Sequence, residues 1–201
     1  MTCIAAITDG VRVVMGGDSA GVDGEMDLSL NGPKVFEREG YLVGYADKYR
    51  AGQLVLSDDF LWPDPPLHPD ARWASKALTG WLRACFSKGG WLRTADGRET
   101  SDANFLVGVA GKLFRITPTF AVHEAEEYAA IGCGAKYALG SFASTEGQPL
   151  QERVTTALRA AEKHCAGVQH PFTILTTWSE STPGAGDASS PSRHRGDGGG
   201  E

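Results

Sequence analysis

The chain has 201 residues, 41% of them hydrophobic, and a formal net charge of −6 at pH 7. That is ample material for a single domain with its own core. The mild acidity and scattered positive residues leave no footprint for nucleic acid or an anionic membrane surface.

In chain order, the apolar runs Thr2–Ile7 and Val11–Met15 join at Asp9-Gly10 and predict a β-hairpin. Thr2 starts the first strand and Asp18 lies just beyond the second. Ala20 to Gly32 is polar and glycine-bearing, which predicts a surface loop. Lys34–Arg38 and Tyr41–Ala46 predict a second hairpin around Glu39-Gly40, and Asp47 is a candidate N-cap for a helix through about Val55. The prolines between Leu61 and Pro69 exclude a helix there. Asp70 is placed to cap a helix over about Ala71–Phe86, where Trp73, Ala77, Leu78, Trp81, Leu82 and Cys85 recur at helical steps.

Gly89 to Asp102 reads as a polar connection, and Asn104–Val109 with Lys112–Ile116 as a third hairpin across Ala110-Gly111. Short strands are expected at Phe120–Val122 and Tyr128–Ile131, helices at Gly134–Phe142 and Leu150–Cys165, and a closing strand at Phe172–Trp178. Strands in hairpins with helices grouped between them imply antiparallel sheets, not βαβ crossovers. From Ser179 onward Ser, Gly, Pro and charged residues dominate, so the expected organisation is a domain over 1–178 and a disordered tail over 179–201. The sequence shows no charged-then-apolar leader and no bilayer-length apolar run. Cys3, Cys85, Cys133 and Cys165 are dispersed, without the close pairs of zinc or redox motifs. Reduced thiols in a cytoplasmic protein with no cofactor and no metal are the expectation.

Thr2 carries the strongest chemical implication. Once Met1 is removed, its hydroxyl can attack a carbonyl while its own α-amine takes the proton. A free α-amine has a reference pKa of about 8, near what a general base needs at neutral pH. The alternative is an incidental strand residue, and the company of Thr2 decides between the two.

Asn31-Gly32-Pro33-Lys34-Val35-Phe36 is similar to the lysine-bearing segment of proteasome β-subunits and of the bacterial protease HslV. Asp18 and Lys34 stand at the separations from Thr2 that this family gives its aspartate and lysine. Tyr41-Leu42-Val43-Gly44-Tyr45-Ala46-Asp47 resembles the strand and glycine turn that supply the oxyanion hole, and Tyr128–Gly134 resembles the strand and Gly-Ser-Gly turn near the nucleophile. The resemblance implies an N-terminal nucleophile hydrolase: an α+β fold, a four-layer αββα sandwich of two antiparallel sheets. It further implies a threonine-type endopeptidase with Thr2 as nucleophile, Asp18 and Lys34 tuning the site, and the Gly44 N–H holding the oxyanion. Expected partners are peptide or unfolded-protein substrates, a homo-oligomeric ring and an ATP-dependent unfoldase.

Two positions depart from the family pattern. Cys133 stands where the family has serine, and a thiol donates a weaker hydrogen bond than a hydroxyl; its other reading is a buried structural thiol. Near Cys165-Ala166-Gly167-Val168 the family's buttressing aspartate and serine are missing, and the neighbouring His164 and His170 have no role readable from sequence. Two further readings stay open: a small-molecule amidase of the same fold, and a catalytically inactive assembly subunit.

Overall fold

The Asp9-Gly10 turn folds the first two apolar runs onto each other as β1 (Cys3–Thr8) and β2 (Arg12–Gly17). A short pair, β3 (Gly21–Asp23) and β4 (Met26–Leu28), follows inside the stretch expected to be a loop. Next come β5 (Val35–Arg38), β6 (Tyr41–Ala46) and α1 (Tyr49–Leu56), then α2 (Ala71–Ala74) and α3 (Ala77–Lys88). A small hairpin, β7 (Arg93–Ala95) with β8 (Arg98–Thr100), precedes β9 (Asn104–Val109), β10 (Lys112–Ile116), β11 (Val122–Ala125) and β12 (Tyr128–Gly132). The helices α4 (Ala135–Ser144) and α5 (Leu150–His164) and the strand β13 (Thr173–Trp178) complete the domain. This computed structural model describes residues 1–23, 26–28, 33–57 and 61–178. The expected disordered tail and the Asn31-Gly32 start of the lysine motif lie outside the described residues.

The strands form two main antiparallel sheets, ordered β12-β1-β2-β13 and β11-β10-β9-β6-β5. Their facing sides share Ile4, Ala6, Val13, Met15, Leu42 and Leu106. The period of two along β1 sends Cys3, Ala5 and Ile7 to the opposite face, where they pack with Ala138, Phe142, Val154 and Leu158 of α4 and α5. On the outer face of the second sheet, Tyr45, Phe105, Val107 and Phe114 pack under Leu54, Leu78, Leu82 and Phe86 of α1 and α3. The layers therefore run α, β, β, α. All six residues of β1 are buried because it is covered on both faces, which is why its sequence is apolar throughout instead of alternating.

Several local expectations need correction. Asp47 does not cap α1: it sits at φ 82, its carboxylate accepts from Asn104 Nδ2 at 2.8 Å, and Lys48 occupies the N-cap position without a side-chain bond. The single helix expected over 71–86 is two helices. Asp70 does cap α2, accepting from Trp73 N at 2.7 Å. After one turn, however, the Ser75 hydroxyl bonds the Arg72 carbonyl at 2.9 Å and Lys76 N closes a tight bond to Trp73 O. These short-range bonds replace the helical ladder, a common competition at serine. The polar connection after α3 folds into β7–β8 across Asp96-Gly97, and β11 starts only at Val122 because Phe120 is held in a turn at φ 63.

Close contact between the sheets yields a stability test at Gly44. A Cβ there would stand 2.5 Å from Ile4 Cγ2 and 2.8 Å from Met15 Sδ. Gly44→Ala should therefore cost about 1–3 kcal/mol by overpacking. Urea denaturation should show a lower midpoint with an unchanged slope; an unshifted midpoint would mean the sheets can separate locally.

Candidate active site

Hairpin register brings the first site residues together. The pairing Ile4↔Gly17 continued by one step sets Cys3 opposite Asp18, and Asp18 N donates to Cys3 O at 3.2 Å. The same extension on the other edge of β1, from Cys3↔Gly132, sets Thr2 beside Cys133. Gly132 makes this approach possible. It lies at φ 89, and a Cβ there would collide with the Thr2 carbonyl. Lys34 precedes β5 and reaches the same point from the second sheet.

Both carboxylate oxygens of Asp18 are engaged. One carboxylate oxygen accepts Cys3 N at 2.8 Å; the other accepts Ala20 N at 3.1 Å and Lys34 Nζ at 2.9 Å. Both side chains of this ion pair are at most 1% exposed. Burial pushes the Asp18 carboxyl above its usual value, while the Lys34 ammonium and the Cys3 and Ala20 amides pull against that shift. Lys34 Nζ also donates to Met1 O at 3.2 Å and lies 5.9 Å from the centre of the Tyr49 ring. Tyr49 donates its hydroxyl to Ala20 O at 2.9 Å, so the first turn of α1 borders the lysine.

Thr2 is buried, and its Oγ1 donates to Met1 O at 2.6 Å. The Met1 carbonyl thus accepts from both the threonine hydroxyl and the lysine ammonium. Thr2 N donates to Cys133 Sγ at 3.3 Å, and Cys133 Sγ donates back to Thr2 O at 3.3 Å. Gly134 N donates to the same Thr2 carbonyl. Cys133 is exposed, not the buried structural thiol of the alternative reading.

Of the five residues singled out in the sequence, Thr2, Asp18, Lys34 and Cys133 converge. Gly44 does not. It pairs with Val35 on one side and Leu106 on the other, within the ladder of the second sheet, and its α-carbon faces Ile4 and Met15 between the sheets. A residue so enclosed cannot present its N–H to a substrate oxyanion. Two neighbours were missed. Tyr49 carries no motif in the sequence and joins the cluster only through the placement of α1. Cys165 was passed over because it stands far from Cys133 in sequence, yet the end of α5 brings the two sulfurs to 3.1 Å. His164 packs on Tyr137, and His170 pairs with Glu162 at 2.6 Å. Among the described residues no group of three or more His, Cys, Asp or Glu could hold a metal, and no helix is long and apolar enough to cross a membrane.

Neither a protein-family model nor a curated protein matches the sequence. Solved structures do match the fold. BPH from Thiobacillus denitrificans is 18% identical with a TM-score of 0.72, covering 90% of this chain and 100% of its own. HslV from Trypanosoma brucei is 17% identical with a TM-score of 0.62, covering 88% of this chain and 99% of its own. The Anbu complex from Pseudomonas aeruginosa, solved as a helical assembly, is 17% identical with a TM-score of 0.62, covering 90% of this chain and 83% of its own. The chain has the N-terminal nucleophile hydrolase fold of the HslV and proteasome β-subunit type.

The buried pair permits a test of its electrostatics. Lys34→Met leaves the Asp18 charge buried without its cation, a loss of about 3–5 kcal/mol at neutral pH. The Asp18 carboxyl then rises further in the folded state, which holds its proton where the unfolded chain, near pH 3.9, has released it. Because the folded state binds more protons, stability falls as pH rises through that window. Urea unfolding should therefore show a much smaller deficit at pH 4 than at pH 7; a deficit independent of pH would mean Asp18 carries no buried charge.

Proposed function

We propose that this protein is a threonine-type peptidase that acts after Met1 is removed. The observation that carries the reading is the position of the Met1 carbonyl, which accepts from both Thr2 Oγ1 and Lys34 Nζ. Its removal frees the Thr2 hydroxyl and the Lys34 ammonium together and leaves Thr2 with the new amine that serves as base. Thr2 Oγ then attacks the substrate carbonyl and the Thr2 amine takes the proton, giving an ester that water hydrolyses. The Lys34 cation, held by Asp18, favours the alkoxide character that develops on Oγ. The role first assigned to Gly44 passes to the opening turn of α1. The first N–H groups of a helix have no partner within it, Lys48 supplies no side-chain cap, and this turn borders Lys34 through Tyr49.

Cys133 supports the site by contacting both the nitrogen and the carbonyl of Thr2. BPH, one of the proteins similar in fold, has been solved in complex with epoxomicin, and Anbu as an assembled complex. By analogy we infer a homo-oligomeric ring that encloses the active sites and admits peptides or unfolded chains, with an ATP-dependent unfoldase as feeder. A strictly monomeric protein in mass photometry would favour a small-molecule amidase instead.

The test joins maturation to chemistry. The mature protein should degrade casein and form a covalent epoxomicin adduct at Thr2, read by mass spectrometry. Thr2→Ala should lower turnover at least about 10³-fold without unfolding the protein, as loss of a nucleophile does. A form with extra residues fused ahead of Thr2 should be inactive until they are cleaved. Equal turnover by the blocked and mature forms refutes the mechanism. Cys133→Ser should keep or raise activity, because a hydroxyl is the stronger donor.

A further inference from the structure

The two sulfurs beside the nucleophile form a chain that the peptidase chemistry does not use. Cys165 Sγ donates to Cys133 Sγ at 3.1 Å, Cys133 Sγ donates to Thr2 O, and Thr2 N donates to Cys133 Sγ. Cys165 closes α5 and is half-buried, whereas Cys133 follows β12 and is exposed. Burial and the contact with Cys133 push the Cys165 thiol up, so the exposed Cys133 is the one to meet an oxidant first. Of the other two cysteines, Cys85 is buried under the second sheet's helices, and Cys3 is buried in the same core cluster as Cys165, where burial pushes its thiol well above the usual value and keeps it protonated. A disulfide has an S–S length of about 2.05 Å, so closure requires the sulfurs to approach by only about 1 Å.

We propose that Cys133 and Cys165 are a reversible dithiol–disulfide pair that controls the Thr2 amine, an inference that rests on Thr2 being the nucleophile. With a peroxide as oxidant, Cys133 sulfur attacks one peroxide oxygen, the O–O bond breaks, and a sulfenic acid and water (or an alcohol) result. Cys165 sulfur then attacks the Cys133 sulfur, the S–O bond breaks, and a second water leaves with the Cys165 proton. Two thiols lose two electrons in total and the peroxide gains them. In the disulfide Cys133 has no hydrogen left to donate to Thr2 O, and its sulfur is drawn toward Cys165. The Thr2 backbone, which carries both nucleophile and base, loses that support. A thiol or dithiol reductant reverses the change.

The test uses the mature full-length protein and diamide, which takes both thiol hydrogens as its N=N bond becomes a hydrazine and stops at the disulfide. Alkylation without reductant followed by peptide mapping should reveal a Cys133–Cys165 linked peptide. Turnover should fall about 10- to 100-fold, the effect of displacing a catalytic group by around 1 Å, and return with dithiothreitol. Cys133→Ser and Cys165→Ser should each keep their own untreated rate through diamide. Absence of the linked peptide overturns the proposal, as does a linked peptide with unchanged turnover. Should the reduced protein hydrolyse nothing, the peptidase reading fails separately. Acetylation of the Thr2 amine as a function of pH then decides the switch: a profile that differs between the reduced and oxidised forms sustains it, and identical profiles overturn it.

Discussion

The site depends on one carboxylate. Asp18 accepts from Cys3 N, Ala20 N and Lys34 Nζ, and so ties the start of β1, the exit of β2 and the residue before β5 to a single point. Two of these belong to one sheet and the third to the other. A buried ion pair contributes little net stability compared with apolar residues of the same volume, because the desolvation of both ions offsets their attraction. Its consequence is positional: the ammonium can move away from Thr2 only by leaving a charge unpaired in the core. Packing alone would hold the sheets together, but it would not fix a cation within reach of the chain's second residue.

Much of this was legible in the sequence because the site is built from hairpin registers. Asp9-Gly10 fixes the β1–β2 register, and that register places Asp18 opposite Cys3; the period of two then sends Cys3 to the helix side. The third hairpin turned where expected, with Ala110 and Gly111 both at positive φ. What failed depended on tertiary partners or on competing side-chain bonds. Asp47 had the chemistry of a cap, but Asn104 on β9 supplied a better-placed donor. Ser75 broke a periodic helix through its own hydroxyl. Gly44 matched a motif, yet its place is set by sheet-to-sheet contact with Ile4 and Met15, which no local pattern reveals. The Cys133–Cys165 contact joins the end of β12 to the end of α5, and only the packing of both helices on the first sheet creates it.

The Met1 carbonyl joins two donors of this cluster, Thr2 Oγ1 and Lys34 Nζ. It accepts from a buried ammonium whose other neighbours are the Asp18 carboxylate and the Tyr49 ring. With Met1 present, the buried ammonium and the Thr2 hydroxyl share one acceptor. In the proposed mechanism, removing Met1 takes that acceptor from the hydroxyl and the cation and turns the Thr2 amide into a basic amine.

Replacing oxygen by sulfur beside the amine changes the character of this site beyond hydrogen-bond strength. A serine in the position of Cys133 would hold Thr2 more firmly and respond to nothing. A thiol holds it less firmly, but in the proposed switch a second thiol in contact makes the support conditional on redox state. The two effects share an origin: the polarisable sulfur that donates weakly is also the atom able to form a covalent bond with its neighbour. The proposed switch therefore gives up some rigidity at Thr2 in return for chemistry that oxygen cannot perform. A residue that buttresses an active site only weakly can still govern it, provided its partner lies close enough to react.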